Sequence, residues 1–191
     1  MAKYHFLKKY FLLFCLLSLC SCATIPPLSF SVPNVGKSSR KIDAELKSLT
    51  VSLARPDEAT GDIDVAGVED QVMNMWKTSL QEALDAMLIF DDDSANRASL
   101  SVKVLKLDAP AFGASMTTEA SAKYDIVNRT NGDIVFTTTI NSEGVCPFNY
   151  AFLGLVRARE SVNRAVQNNI LQFLQALESV DMTKPMFPAD R

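Results

Sequence analysis

Few side chains in this chain could carry a reaction, and most of those stand alone. The only histidine is His5. A hydrolytic triad needs a base beside its nucleophile, and no histidine follows residue 5 to serve. Cysteines occur at 15, 20, 22 and 146; a structural zinc site would need clustered Cys and His later in the chain. Asp62 and Asp64 share one loop, and paired carboxylates can support acid–base work, but any acidic loop offers as much. Asp91, Asp92 and Asp93 are adjacent. Calcium takes oxygen ligands, yet these three lack the ligand spacing and glycine of a calcium loop, so they read as a solvated turn. The seven glycines are scattered singly and make no phosphate-cradling loop. No serine–lysine motif is recognisable. No catalytic residue, cofactor or metal is expected. Arg157, Arg159 and Arg164 cluster late in the chain. They read first as a solvated helix face, second as a docking patch for anionic lipid or a protein partner.

The sharper chemistry lies at the N-terminus. Lys3, Lys8 and Lys9 precede an apolar run, Tyr10 to Leu17, and then Ser18-Leu19-Cys20-Ser21-Cys22. That is the layout of a secretory signal peptide. The run is shorter than the roughly 20 apolar residues that span a bilayer. Leu19-Cys20-Ser21-Cys22 resembles the lipobox of bacterial lipoproteins: an aliphatic residue, two small ones and a cysteine. The register ending at Cys20 places bulky Leu19 immediately before the cysteine, so Cys22 is favoured over it. The resemblance implies cleavage before Cys22, a diacylglyceryl thioether on its sulfur and an acyl group on its amine. Each buried methylene contributes roughly 0.8 kcal/mol, and two chains already anchor stably. Ala23 stands where an aspartate favours inner-membrane retention in Gram-negative lipoproteins, so the outer membrane is the expectation. An ordinary signal peptide and a buried N-terminal helix are the competing readings.

Removing residues 1–21 leaves 170 residues with 16 basic and 22 acidic side chains, a net charge of −6. That length suits one domain with a substantial core. Its scattered, mildly acidic charge disfavours nucleic acid. With Cys22 acylated, Cys146 has no partner for an intramolecular disulfide. In its apolar context it reads as a small packing residue.

Periodicity defines the elements that must position these residues. Residues 22–41, with Pro26, Pro27 and Pro33, read as the lipidated N-terminus and a flexible tether. The domain is expected over 42–178. Leu49, Val51 and Leu53 alternate as a strand. An acidic loop spans 57–67. Val68, Val72, Met75, Trp76, Leu80, Ala83, Leu84 and Met87 form a helical stripe. Leu100, Val102 and Val104 alternate, but Leu105 and Leu107 take the other parity. Ala120, Ala122, Tyr124 and Ile126 share a face. Asn131-Gly132 signals a hairpin, followed by a strand from Ile134 to Ile140 and a loop over 141–150. A last helix spans roughly 153–178, with Arg157, Arg159, Asn163 and Arg164 on its polar side. Residues 179–191 read as a loose tail. Two helices on one face of a four-stranded mixed sheet give a two-layer α+β sandwich.

Several runs carry a family resemblance. They are Ile63-Asp64-Val65-Ala66-Gly67-Val68 before the Trp76 helix, Leu100-Ser101-Val102-Lys103-Val104 and Gly132-Asp133-Ile134-Val135-Phe136. They are joined by Phe152-Leu153-Gly154-Leu155-Val156-Arg157 and Asn163-Arg164-Ala165-Val166-Gln167-Asn168-Asn169-Ile170. With the lipobox, these resemble small proteobacterial envelope lipoproteins, distantly like the YajG-type and ABC-transport auxiliary lipoproteins. The resemblance implies a periplasm-facing accessory domain and transfers no active-site residue. Some such proteins carry the label UDP-N-acetylglucosamine acyltransferase. Those enzymes resemble left-handed β-helices of hexapeptide repeats with a histidine base, and neither feature occurs here. The expected function is a non-catalytic accessory or binding subunit, anchored by lipid, whose partner is an envelope protein or lipid. A small-apolar-ligand binding module is the first alternative, an enzyme of unrecognised type the second.

Overall fold

In a computed structural model, residues 25, 27–181 and 184 are described; Cys22 and the signal segment lie outside them. The elements run β1 (Glu45–Leu53), α1 (Glu69–Met87), β2 (Arg97–Asp108), β3 (Met116–Asn128), β4 (Ile134–Cys146), a short 3-10 turn (Phe148–Tyr150) and α2 (Gly154–Leu177). The four strands form one sheet in the order β1-β2-β3-β4. β1 runs parallel to β2, with α1 as the crossover; the other pairs are antiparallel. The fold is therefore the α+β sheet-and-helices arrangement expected from the periodicity.

The parity change in β2 has a mechanical explanation. Val104 pairs with Ala122, but Lys106 pairs with Ser121, so the strand bulges between them. A bulge inserts one residue and re-aims those that follow. Leu100, Val102, Val104 and then Leu107 thereby all stay buried. At the hairpin, Gly132 has φ +81°, a left-handed conformation that glycine adopts without a Cβ penalty.

Both helices cover the same face. Trp76 of α1 lies beside the hydroxyl of Tyr124 on β3, and Phe173 of α2 stacks on the Tyr124 ring at 4.0 Å. α1 begins at Glu69, whose carboxylate accepts backbone N–H groups of Glu69 and Gly67 and is held below its ordinary pKa. It ends where Leu88 turns left-handed.

Three boundaries differ from the sequence expectation. Strand β4 continues to Cys146 instead of giving way to a loop at 141. Ser142, Gly144 and Cys146 are small because α2 presses on that stretch. A Cβ on Gly144 would stand 2.1 Å from the Ser161 carbonyl and 2.2 Å from the Ala165 nitrogen.

The segment read as tether is a strap from Leu28 onward. Phe30 is 1% exposed and meets Trp76 edge-on at 6.3 Å. Burying a phenylalanine contributes about 1.5–3 kcal/mol, enough to hold the segment down despite its prolines. Ser29 donates its N–H to Asn163 Oδ1 at 2.9 Å and accepts from Gln167 Nε2 at 3.0 Å. Further on, Ser38 bonds to the Met87 carbonyl, and Arg40 donates to the carbonyls of Glu178 and Val180.

The expected tail likewise begins inside the core, at buried Val180.

Candidate functional site

The polar side chains under α2 form a closed seam. Tyr124 donates to Asn169 Oδ1 at 2.8 Å. Asn169 Nδ2 donates to the Ile140 carbonyl at 2.9 Å and to Ser142 Oγ at 3.0 Å. Ser142 donates to the Ala165 carbonyl at 2.9 Å. Thr118 and Ser161 share a hydrogen bond of 2.8 Å. Burial raises the Tyr124 pKa far above the ordinary phenol value, with the Trp76 indole opposing. Each of these hydroxyls and amides already has a partner, and Trp76, Tyr124 and Phe173 fill the layer between helices and sheet. The seam locks α2 onto β3 and β4 and presents nothing to a substrate.

Of the acidic candidates, Asp64 and Asp91 are engaged locally. Asp64 accepts the Ala109 N–H at 2.9 Å, where Ile63 bridges to Leu107 beyond the end of β1. Asp91 pairs with Lys41 at 3.4 Å and, at the same distance, accepts the Asp93 N–H in its own turn. Among the described residues, no group of three or more His, Cys, Asp or Glu could hold a metal ion. Cys146 is buried beneath α2, and burial pushes its thiol up, with Arg164 opposing. A raised pKa suppresses the thiolate, the reactive form. An open polar cleft of about 580 Å³ lies across β2, β3 and β4, lined by residues including Lys106, Glu119, Asn141 and Glu143. There Lys106 is tied to Glu119 by an ion pair.

The end of the domain at the start of α2 is built differently. The expectation that Arg157 faces a partner from a polar helix side is corrected: it is 5% exposed. Its Nη1 donates to the carbonyls of Ala151 (2.6 Å) and Phe152 (2.9 Å), and its Nη2 to Gly113 (3.1 Å). Its guanidinium lies 5.1 Å from the Phe148 ring centre, a cation–π contact. Arginine's planar fork suits such a multi-carbonyl clamp. One buried side chain thus ties the β2–β3 loop to the β4–α2 loop.

Around that clamp the loops hold aromatic rings outward. Phe112, next to the clamped Gly113, is 88% exposed; Phe152 is 92% and Phe148 60% exposed. Val145, Tyr150, Leu153 and Leu155 at the same end are exposed as well. Arg164 donates to Glu160 at 2.7 Å and to the Val145 carbonyl at 2.8 Å, and sits 5.3 Å from the Tyr150 ring centre. Arg159 is half-buried. The structure therefore brings Arg157 and Arg164 to one end, as organisers of two loops rather than as an open basic patch. Sequence reasoning passed over the rings because loops at 109–113 and 147–153 carry no periodicity. Three phenylalanines in loops of a mostly polar surface were the available signal.

No family model matches this chain, and no curated protein matches it. Solved structures resemble it in part. A Xanthomonas campestris protein of family DUF330 is 10% identical, with a TM-score of 0.47 over 81% of this chain and 98% of that one. A PelC dodecamer from Paraburkholderia phytofirmans is 12% identical, with a TM-score of 0.45 over 74% and 92%. A minor lipoprotein from Acinetobacter baumannii is 14% identical, with a TM-score of 0.39 over 71% and 96%.

Proposed function

We propose that the protein is a lipid-anchored envelope lipoprotein, a distant relation of the YajG-type and ABC-transport auxiliary proteins. Its periplasm-facing domain is a non-catalytic accessory in envelope transport or assembly, binding an envelope protein or lipid. Acylation falls on Cys22, and the outer membrane is the favoured location. The observation that carries the reading is the strap. From Leu28 onward the chain is docked on the helices, and Phe30 is in the core. Only six residue steps separate Cys22 from Leu28, a span of at most about 20 Å. An acylated Cys22 would hold this domain against a membrane rather than let it range on a long tether. The closed seam and the local engagement of Asp64 and Asp91 support a non-catalytic role.

The test pairs two measurements. Mass analysis of the mature N-terminus should find Cys22 carrying lipid, and Cys22→Ser should move the protein out of the membrane fraction. In-cell crosslinking of the anchored protein should recover the same envelope partner repeatedly. Unaltered processing and membrane retention of Cys22→Ser would overturn the anchor.

A further inference from the structure

We propose that the aromatic end of the domain, built from Phe112, Phe148 and Phe152 around Arg157, rests on the lipid surface that holds the anchor, its rings inserted among the headgroups. This rests on acylation of Cys22, and it adds an orientation and a second contact that the anchor alone does not supply.

The first argument is the path of the chain. Ser29 is bonded to Asn163 and Gln167 of α2, whereas Arg40 is bonded to Glu178 and Val180 just past its end. The strap therefore runs in the same direction as α2. Ser29 is thus docked nearer than Arg40 to Gly154 and the aromatic end. Asn163 lies nine residues from Gly154, about 14 Å of helix. The seven residue steps from Ser29 to Cys22 reach at most about 25 Å. That length is enough for Cys22 to reach the end of the domain that exposes its rings.

The second argument is composition. Phe112 adjoins, and Phe152 carries, a carbonyl clamped by one guanidinium, so two separate loops present exposed rings from one tied frame. Large exposed apolar groups gathered at one place mark an interaction surface. Clustered aromatic and leucine side chains partition into the headgroup boundary. Arg157 has no carboxylate on it among its described bonds, and its Nε is buried without a hydrogen-bond partner. Glu160 is engaged by Arg164.

The experiment uses the acylated full-length mature protein bound to vesicles of phosphatidylethanolamine and phosphatidylglycerol with brominated acyl chains. Phe152→Trp and Phe112→Trp place an indole at the aromatic end. Asp92→Trp places one at the opposite end, beyond α1. Trp76, fully buried, supplies a constant background. Brominated lipid should lower the added emission about twofold for the two aromatic-end variants and leave Asp92→Trp unchanged, because only groups at the headgroup boundary reach the bromines. Vesicle flotation and protein mass are recorded in parallel. Protein that carries lipid and floats, but shows no quenching at 112 and 152 or equal quenching at all three sites, overturns the proposal and leaves the anchor standing. Protein whose mass shows no acyl group, and which does not float, overturns both. Crosslinked dimers through 152 with no lipid quenching overturn it in favour of a contact between copies.

Discussion

Aromatic rings and polar groups meet in two places in this domain, with opposite outcomes. In the seam, Tyr124 stacks on Phe173 and its hydroxyl is passed to Asn169, so ring and polar tip are both enclosed. At the aromatic end the polar group, Arg157, is the enclosed one, and Phe112 and Phe152 stand in solvent. The seam converts burial into stability. The aromatic end places its guanidinium where it fixes backbone carbonyls, and leaves the apolar area available for something outside the chain. Conformational strength and binding surface are thereby separated along α2.

If that separation is right, damage to the seam should act on the whole fold. The largest effect is expected at Gly144→Ala. A methyl group there meets α2 backbone at 2.1 and 2.2 Å, and neither the helix nor β4 can yield cheaply. Forced overpacking typically destabilises by about 1–3 kcal/mol, and contact with backbone places this case at about 3 kcal/mol or more. Chemical denaturation should show a single transition at a lower midpoint. A neutral Gly144→Ala would mean that α2 is free to lift from the sheet.

Tyr124→Phe probes the same seam more gently. It strips the donor from Asn169 Oδ1 and leaves a buried acceptor unmet, about 1–3 kcal/mol. The wild type should also lose stability on the alkaline side. Its folded phenol is raised above the ordinary value, so the neutral form is favoured in the fold. That contribution is whole below the ordinary phenol pKa, near 10, and falls away as pH rises beyond it. The variant should lack this part of the alkaline decline.

Arg157→Met sharpens the contrast. Three carbonyls lose their donor, and the loops at 111–114 and 148–153 lose their tie. Hydrogen exchange should quicken in those two loops, while amides of β3 and the middle of α2 keep their protection. Loss of global stability should stay near 1 kcal/mol, at the lower end of the hydrogen-bond range. Uniform acceleration across the seam would show that the two regions are one cooperative unit.

The two regions also differ in how far the sequence revealed them. The strands, both helices and the Asn131-Gly132 hairpin follow from periodicity and turn chemistry, and the parity break at Leu105 marks a bulge. The far end of β4 was hidden because Ser142, Gly144 and Cys146 are small and only one is apolar. They continue the alternation of Ile140, but the helix that demands their size is distant in sequence. Phe30 was hidden by neighbouring prolines, which argue against secondary structure and say nothing against burial. Arg157 was placed on the polar side of its helix by its charge. Its true partners are carbonyls of two loops, one of them 44 residues away. Clamps of that kind are made by tertiary proximity and leave no spacing rule behind. Cys22 remains readable only as a motif.

The smallest effect is expected on the sheet surface that neither region uses. Glu58 is held down to about 2 from 4.5, chiefly by the Lys103 ammonium at 2.8 Å and the Arg55 backbone N–H. The charged form is the one favoured by folding. Its stabilisation is therefore present above the ordinary value of 4.5 and lost as pH falls toward 2. Glu58→Gln should lie slightly below wild type at pH 7 and converge with it over that acid interval. Molar salt should close the remaining gap, because exposed charges are screened. Tyr124→Phe should show neither trait, since its hydroxyl is sealed from ions and neutral throughout the acid range. If Glu58→Gln lowered the unfolding midpoint as much as Tyr124→Phe at neutral pH, stability would be seated on the charged surface as well as in the seam. The division between a closed, stabilising side of α2 and its open aromatic end would then no longer describe this fold.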